Sequence, residues 1–204
     1  MTIVEQRSDA DGISRDFTKP FAAFMQNYDA DSQNAIWTAQ RQKFRAFWTN
    51  RIMNGPEGDL DDVEIDGIVS ILDRHGKGNT KESEAVARVM IPQGAWRRMF
   101  NEIKSNKSLA KALDDVLQES DAEQRSAAID KVYALNEGQR NNLTGQSGNA
   151  INAMLAAWDP FTNSSIVSLN DRKRAIDFFS FEGSPDFEKD TIGQKITQSD
   201  RAIL

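Results

Sequence analysis

Residues 143–160 read LTGQSGNAINAMLAAWDP, and this segment gives the clearest structural signal in the chain. Two glycines, Gly145 and Gly148, stand just before a run of small and apolar residues that extends from Ala150 to Trp158. Glycines allow a tight turn at a helix entry, and small side chains allow the helix behind it to pack closely. The pattern favours a tight turn into a core helix. It leaves open a second interpretation, in which backbone N–H groups of the turn contact a phosphate.

The rest of the chain also has helical spacing. Of its 204 residues, 39% are apolar, which is enough for a sizeable core. Apolar residues recur at a helical period, and turn residues such as Asn-Gly-Pro at 54–56 separate the segments. The sequence therefore predicts an all-α globular array of about eight to ten helices. It allows at most one short extended segment, near Ile166–Leu169.

Capping residues and apolar stripes predict where several helices begin. Asp31 is the predicted N-cap of a long helix, and Asn106 and Asp121 precede two later ones. Thr80 is predicted to open a helix that continues to Met90. In the long helix, large residues at helical spacing indicate burial rather than a base-stacking platform. They are Trp37, Phe44, Trp48 and Ile52.

Charge and cysteine content exclude several classes of protein. The chain has no cysteine, so it has neither disulfides nor a thiolate metal site. It shows neither a signal peptide nor an apolar run long enough to span a bilayer, which predicts a cytoplasmic protein. The formal net charge of −6 opposes a surface that attracts nucleic acid as a whole. Any nucleic-acid site is therefore expected to be local.

The acidic excess is concentrated in residues 57–73. A calcium loop is disfavoured because Val63 and Ile65 stand where oxygen ligands would be required. Carboxylates at the start of an apolar-periodic run instead complement a helix dipole. The same carboxylates could also dock a basic protein partner. The residues considered for that surface are Asp59, Asp61, Asp62, Glu64 and Asp66.

Candidate catalytic groups are few. His75 is the only histidine, and its glycine-rich surroundings indicate a solvated turn. Ser147 lies in a sequence that lacks the final glycine and the preceding strand of a nucleophile elbow. Asp171 and Lys173 form a D-x-K fragment that metal-dependent nucleases use, but a triplet this short arises by chance, and a capped, solvated helix start is the favoured explanation. No catalytic residue, metal ligand or cofactor is predicted.

The segment from Leu143 to Phe179 resembles the helix-hairpin-helix part of DNA-repair glycosylase-like folds. In those folds a glycine hairpin precedes a small-residue helix, an Asn- or Asp-containing turn and a basic helix. The corresponding elements here are Gly145 and Gly148, Ala150 to Trp158, Asp159-Pro160 to Asn170, and Arg172-Lys173-Arg174. The segment also resembles accessory helical domains that precede the motor or nuclease parts of McrB-like and other modification-dependent restriction proteins.

The resemblance implies association with DNA rather than base excision. The two glycines are separated by Gln146 and Ser147 instead of one apolar residue, and the hairpin has no lysine that could act as a glycosylase nucleophile. Residues 139–158 contain no acidic side chain, and cations flank the segment. The predicted DNA-binding residues are Arg140, Gly145, Gly148, Asn149, Arg172, Lys173 and Arg174. The alternative is that the three basic residues lie on the surface of an ordinary helix.

Three segments are predicted along the chain. Residues 1–13 form a flexible N-terminal arm, and residues 14–181 form the helical domain, with the helix-hairpin-helix-like part at 139–181. Residues 182–204 form a linker or the start of a following element, so the chain is expected to belong to a larger protein.

The first functional hypothesis is a noncatalytic, DNA-associated recognition or accessory domain of a bacterial restriction or phage-defence protein. The alternative is a protein-interaction module that uses the acidic segment, and the third is a glycosylase-like or nuclease enzyme acting through Asp171.

Overall fold

The computed structural model describes residues 18–73 and 85–204, which contain nine α-helices and one π-helical turn. The elements are α1 (Thr18–Asn27), α2 (Ala30–Phe47), the π-helical turn (Trp48–Met53), α3 (Asp62–Leu72), α4 (Gln93–Ser105), α5 (Lys107–Gln118), α6 (Ala122–Leu135), α7 (Asn149–Trp158), α8 (Leu169–Phe179) and α9 (Ile192–Ile203). The predicted all-α array is confirmed. Over the described ranges no strand forms, and residues 166–168 are an irregular connection.

Some sequence-based predictions concern residues outside the described ranges. These are the flexible arm at 1–13, His75, and the proposed helix start at Thr80. Within the described parts of the chain, no helix combines the length and apolarity that a membrane crossing requires.

The chain divides into two compact units, residues 1–35 and residues 36–204. In the first unit, the rings of Phe24 and Tyr28 stack with their centroids 4.8 Å apart. The carboxylate of Asp29 accepts a hydrogen bond from the Ser32 N–H at 3.1 Å, at the entry of α2. Asp29 therefore makes the capping hydrogen bond at the start of α2. Asp31, the predicted N-cap, lies in the first turn instead.

In the second unit, α7 is the central helix. Every residue from Ala150 to Ala157 is buried, and α7 packs against α3 and α5. Its four alanines allow this close approach because they project little beyond the backbone. The stripe along α2 is also core, since Phe44, Trp48 and Ile52 are fully buried. The prediction that these large residues serve packing is confirmed.

Several predicted caps and breaks lie where the sequence placed them. The helical segment ends at Met53, directly before Asn54-Gly55-Pro56. Asp61 caps α3 through a reciprocal capping box with Glu64. Asn106 and Asp121 cap α5 and α6 by accepting hydrogen bonds from first-turn N–H groups.

The segment that precedes α4 is not the helix that the sequence predicted through Met90. Residues 85–92 are irregular, and α4 begins only at Gln93. The buried carboxylate of Asp73 accepts hydrogen bonds from the N–H groups of Val89, at 3.1 Å, and Ile91, at 3.3 Å. The Val86 N–H donates to the Ile71 carbonyl oxygen. These N–H groups therefore have partners that helix formation would have to break.

The last segment also differs from the predicted linker or following element. It contains α9, which packs against α6 and α8 within the compact unit 36–204. The Gly193 N–H donates to the Asp130 carboxylate at 2.8 Å, and a Cβ at Gly193 would overlap the backbone oxygen of Ser126. A glycine at the crossing brings the two helices together and places Ile196 in the core.

Candidate functional site

The glycine turn before α7 is a packing element. Gly148 has a φ of 67°, and its N–H donates to the Gly145 carbonyl oxygen at 3.0 Å. A Cβ at this position would lie 3.1 Å from the Asn152 side-chain amide and 3.2 Å from Ile196. Gly148 is therefore needed for interior contacts, and its N–H already has a partner inside the turn. The interpretation as a tight turn into a core helix fits this geometry.

The remaining residues of the predicted hairpin site differ in accessibility. Gly145 is exposed, and its carbonyl oxygen accepts the Tyr133 hydroxyl at 2.7 Å. Burial raises the pKa of Tyr133, so this hydroxyl stays protonated as the donor. Asn149 is partly buried. Of this turn, only Gly145 and its exposed neighbours are open to a large ligand.

Arg172 lies inside the protein, so the prediction that it contacts DNA is wrong. Its side chain is 1% exposed and donates to the carbonyl oxygens of Ile166, at 2.6 Å, and Ile196, at 3.0 Å. It also forms an ion pair with Asp200 at 3.0 Å. Helix periodicity explains the error, because Arg172 is four residues before the buried Ile176 and shares its inward face.

The other predicted cations lie on the surface. Lys173 pairs with Asp177 at 2.7 Å, and Arg174 pairs with Asp171 at 3.5 Å. Both pairs are internal to α8, so each cation on its outer face has a carboxylate one helical turn away. Arg140 is exposed in the loop before α7. Arg172, Lys173 and Arg174 therefore do not form the continuous cationic face that the sequence suggested.

The other two hypotheses use carboxylates that also have partners. Asp171, the nuclease candidate, pairs with Arg174. Over residues 18–73 and 85–204 there is no group of three or more histidine, aspartate or glutamate side chains that could hold a metal ion. Most carboxylates of the acidic segment are engaged within the fold. The contacts are Arg51 with Glu64, Arg97 with Asp62, and Gln93 with Asp66.

A cavity of about 360 Å³ lies between α6, the end of α7 and α9. Its lining combines apolar and polar side chains, which is typical of ligand sites. The apolar wall includes Leu155, Phe161 and Ile196. The polar side includes Arg125, Asn163, Thr197, Asp200 and Arg201.

Arg125 is held in this cavity by uncharged acceptors. Its Nε donates to the Glu119 carbonyl oxygen at 2.7 Å, as Nη2 also does, and its Nη1 donates to the Asn163 side-chain oxygen at 3.1 Å. Burial lowers the pKa of Arg125, and the nearby carboxylate of Asp200 opposes that shift. An arginine remains protonated despite such shifts. No carboxylate of the described residues forms an ion pair with Arg125, and the charges of Asp200, Glu119 and Asp159 act on it only from beyond ion-pair distance.

Asp200 is the acidic residue of the cavity lining, and the buried Arg172 side chain pairs with it. Its Oδ1 accepts hydrogen bonds from the Ser164 N–H at 2.9 Å and from Arg172 at 3.0 Å. Burial raises the pKa of Asp200, and the Arg172 guanidinium opposes this rise. Arg172 therefore pairs with Asp200, and the other charged side chains that line the cavity are Arg125 and the exposed Arg201.

A groove of about 840 Å³ adjoins the cavity along α6 and α9. The two share Ala122, Thr197 and Arg201 in their linings, so they are adjacent. The rest of the groove is lined by small and amide-bearing side chains, together with two glutamates. These residues include Ser126, Gln194, Gln198, Glu123 and Glu182.

Sequence analysis did not identify this site. Arg125 and Asp200 lie on helices that are far apart along the chain and come together only through the α6–α9 crossing. One signal was present, because Asp200 lies four residues after Ile196 and therefore on its apolar face. A carboxylate on a buried helix face requires a partner, which here is Arg172.

No protein-family model matches this chain, and neither a curated protein nor a solved structure is similar to it. The geometry of the cavity is therefore the basis on which a function can be inferred.

Proposed function

We propose that this chain is a noncatalytic recognition module that binds the anionic group of a ligand in the cavity between α6 and α9. The observation that carries this proposal is the state of Arg125, a half-buried cation whose acceptors are all uncharged. An opposite charge that enters such a site is attracted more strongly than in bulk water, because the surrounding protein screens it less.

The guanidinium of Arg125 has hydrogen-bonding capacity left for a ligand. Arginine has five N–H donors, and Arg125 uses three of them within the protein. The remaining donors suit a carboxylate or phosphate oxygen. Glu119 and Asn163 fix the guanidinium in place, so little side-chain freedom is lost when a ligand binds.

The apolar wall indicates that the ligand also has an apolar part. Leu155 and Ile196 are buried, whereas Phe161 is partly exposed at the cavity. An apolar group placed against Phe161 would remove part of its exposed surface from water. The best small probe is therefore one that joins an anionic group to a ring, such as benzoate.

The proposal is tested by adding benzoate to the ¹⁵N-labelled protein and following amide and arginine side-chain NMR signals. We expect saturable shifts at Arg125, Asn163 and Thr197, in the millimolar range that suits a ligand with so few atoms. Benzamide, which has the same ring without the charge, should bind more weakly. Absence of shifts at these residues, or equal binding of benzamide, would contradict the proposal.

Paired variants separate the cavity from general electrostatics. Arg125→Met and Arg201→Gln each remove a positive charge from the cavity and should weaken benzoate binding. Lys131→Gln removes one charge from an exposed position of α6 and should leave binding unchanged. Arg201→Gln is informative even if Arg125→Met unfolds the protein, because Arg201 is exposed.

A second candidate function is DNA association, as an accessory domain of a bacterial restriction or phage-defence protein. The observation in its favour is the accessibility of the cations on the outer face of α8, where the Arg174 side chain is 83% exposed and Lys173 is about half exposed. Arg140 is a third exposed cation near the sequence segment that resembles a helix-hairpin-helix. Exposed cations contact phosphates and make binding dependent on salt.

Labelled duplexes, with and without modified bases, test this second function across a salt series. If α8 contacts the DNA backbone, affinity should fall as salt rises, and Lys173→Glu with Arg174→Glu should abolish it. Lack of binding at low salt would eliminate the hypothesis. Binding that survives both substitutions would place the DNA elsewhere on the protein.

A further inference from the structure

The groove beside the cavity suggests a ligand longer than a small anion. The two spaces share Thr197 and Arg201 in their linings, so a molecule anchored at Arg125 lies beside the groove along the α6–α9 seam. The groove is about 840 Å³, more than twice the volume of the cavity. A ligand that only filled the cavity would leave most of this adjoining surface unused.

Charge along this path changes sign. Arg125 lines only the cavity, and Arg201 lies where the cavity meets the groove. Glu123 and Glu182 line only the groove, and both are exposed. A polyanion such as DNA would meet repulsion from these glutamates along most of its length. The charges instead suit a chain with one anionic end and a neutral or basic body.

The polar side chains of the groove suit an extended polypeptide. Gln194 and Gln198 are one helical turn apart on α9, and Ser126 faces them from α6. The Gln198 side chain has both a donor and an acceptor, as the backbone of an extended peptide does, whereas the Gln194 side-chain oxygen already accepts the Thr191 N–H at 2.9 Å. Grooves that combine such groups with a site for a terminal carboxylate are a recurring form of peptide recognition.

We infer that the groove and cavity together bind the C-terminal end of an extended polypeptide. Its terminal carboxylate lies at Arg125 and Arg201, and its last side chain, which is apolar, lies against Phe161. A basic residue a few positions upstream lies near Glu123 and Glu182. This inference rests on the proposed function, because it identifies the ligand class for the same anion site.

The test uses fluorescein-labelled hexapeptide pools in fluorescence anisotropy titrations with the full chain. Each pool has one fixed apolar last residue and a lysine at the third or fourth position, with the other positions degenerate. Each pool is made with a free C-terminal carboxylate and with a C-terminal amide. We expect the free acid of at least one pool to bind roughly tenfold more tightly than its amide, since the charged contact is lost in the amide.

Variants at the two ends of the site should have different effects. Arg201→Gln should reduce the preference for the free acid. Glu123→Lys with Glu182→Lys should reverse the preference for these pools over matched pools in which glutamate replaces the lysine. Lys131→Gln is the matched control and should change neither preference. Arg201 and both glutamates are exposed, so these substitutions are compatible with folding.

The outcomes distinguish this inference from the proposed function. If benzoate binds at Arg125 but every free acid binds no better than its amide, the site is an anion site for another ligand and the peptide inference is wrong. If neither benzoate nor any pool binds, both proposals fail. If a DNA duplex displaces benzoate from the cavity, the ligand is a nucleic acid, and the peptide inference is again wrong.

Discussion

The outer face of α8 and the cavity between α6 and α9 both present cations, yet among the described residues only those of α8 form direct ion pairs with carboxylates. On α8, Lys173 and Arg174 each have a carboxylate of the same helix within 3.5 Å. In the cavity, Arg125 is bound by a carbonyl and an amide oxygen instead. The comparison teaches that a run of basic residues in a sequence does not measure the positive charge available to a ligand.

The largest expected effect is a difference in stability between substitutions of a buried and of an exposed arginine of α8. Arg172→Met should destabilise the protein by about 3 to 5 kcal/mol, because Asp200 and the carbonyl oxygens of Ile166 and Ile196 would lose a buried partner. Arg174→Met should change stability by less than about 0.5 kcal/mol, because that side chain is exposed. Urea denaturation of both variants measures the difference.

A double variant examines why Arg172 matters. If the loss arises from leaving Asp200 charged and unpaired, then Asp200→Asn should recover part of the stability lost in Arg172→Met. Equal destabilisation by Arg172→Met and Arg174→Met would show instead that the burial of Arg172 is not structurally important.

The second prediction concerns the helix crossing that creates the cavity. Gly193→Ala should destabilise the protein by about 1 to 3 kcal/mol, because the added Cβ would overlap the Ser126 backbone and force α6 and α9 apart. Gly67→Ala is the matched control. Gly67 lies in α3, and a Cβ at this position would have no heavy atom within 4 Å. Replacing glycine by alanine inside a helix should therefore stabilise the protein by about 0.5 to 1 kcal/mol.

Thermal and urea unfolding of these two variants gives the sign of each effect. Benzoate binding by Gly193→Ala adds a functional readout, since moving α9 displaces Asp200 and Arg201 relative to Arg125. If Gly193→Ala is as stable as the parent protein and binds benzoate equally well, the close crossing does not define the cavity.

The third prediction compares how stability depends on pH at two carboxylates, Asp200 in the cavity and Glu64 in its ion pair with Arg51. Burial raises the pKa of Asp200 above its ordinary value of 3.8. Its contribution to stability is therefore fully present below pH 3.8 and is lost as the pH rises through the folded-state value. Glu64 behaves oppositely, because the hydrogen bond from Arg51 lowers its pKa below 4.5. Its contribution is present above pH 4.5 and is lost as the pH falls through its folded-state value.

Free energies of unfolding, measured from acid to neutral pH, test these signs. Relative to the parent protein, Asp200→Asn should gain stability as the pH rises above 3.8, and Glu64→Gln should gain it as the pH falls below 4.5. Difference curves with the same sign for both variants would show that the Arg172 ion pair outweighs burial at Asp200.

The sequence predicted local structure better than the site. Asn106 and Asp121 could be identified as caps because a cap depends on neighbours within one helical turn, whereas Asp31, also predicted as a cap, lies in the first turn of α2. The aromatic stripe through Phe44 and Trp48 could be assigned to the core because helical periodicity is visible in the sequence.

Features that depend on distant residues were predicted poorly. The irregular segment at 85–92 depends on the carboxylate of Asp73, and the inward direction of Arg172 depends on its partners on α9. The cavity joins residues from α6, α7 and α9 that no local pattern relates. The cavity therefore follows from helix packing rather than from a motif, and the residues predicted from the sequence lie around the entry of α7 and on α8 instead.

The smallest expected effect is on DNA binding by the cations of α8. It shows whether the neighbouring carboxylates weaken the attraction of these cations for phosphates. Asp171→Asn with Asp177→Asn removes the partners of Arg174 and Lys173 while leaving both cations in place. Stability should change by less than about 1 kcal/mol, because these pairs are exposed to solvent. Nonspecific duplex binding at low salt should increase, because two phosphate contacts become possible and local repulsion falls.

A salt series with one labelled duplex measures this change, and benzoate titration of the same variant serves as the control. Benzoate binding should be unaffected, since neither aspartate lines the cavity. If the substitutions leave duplex affinity unchanged at every salt concentration, the carboxylates of α8 do not limit its cations. The contrast between the α8 surface and the cavity would then depend on burial alone, because only the cavity surrounds its cation with protein.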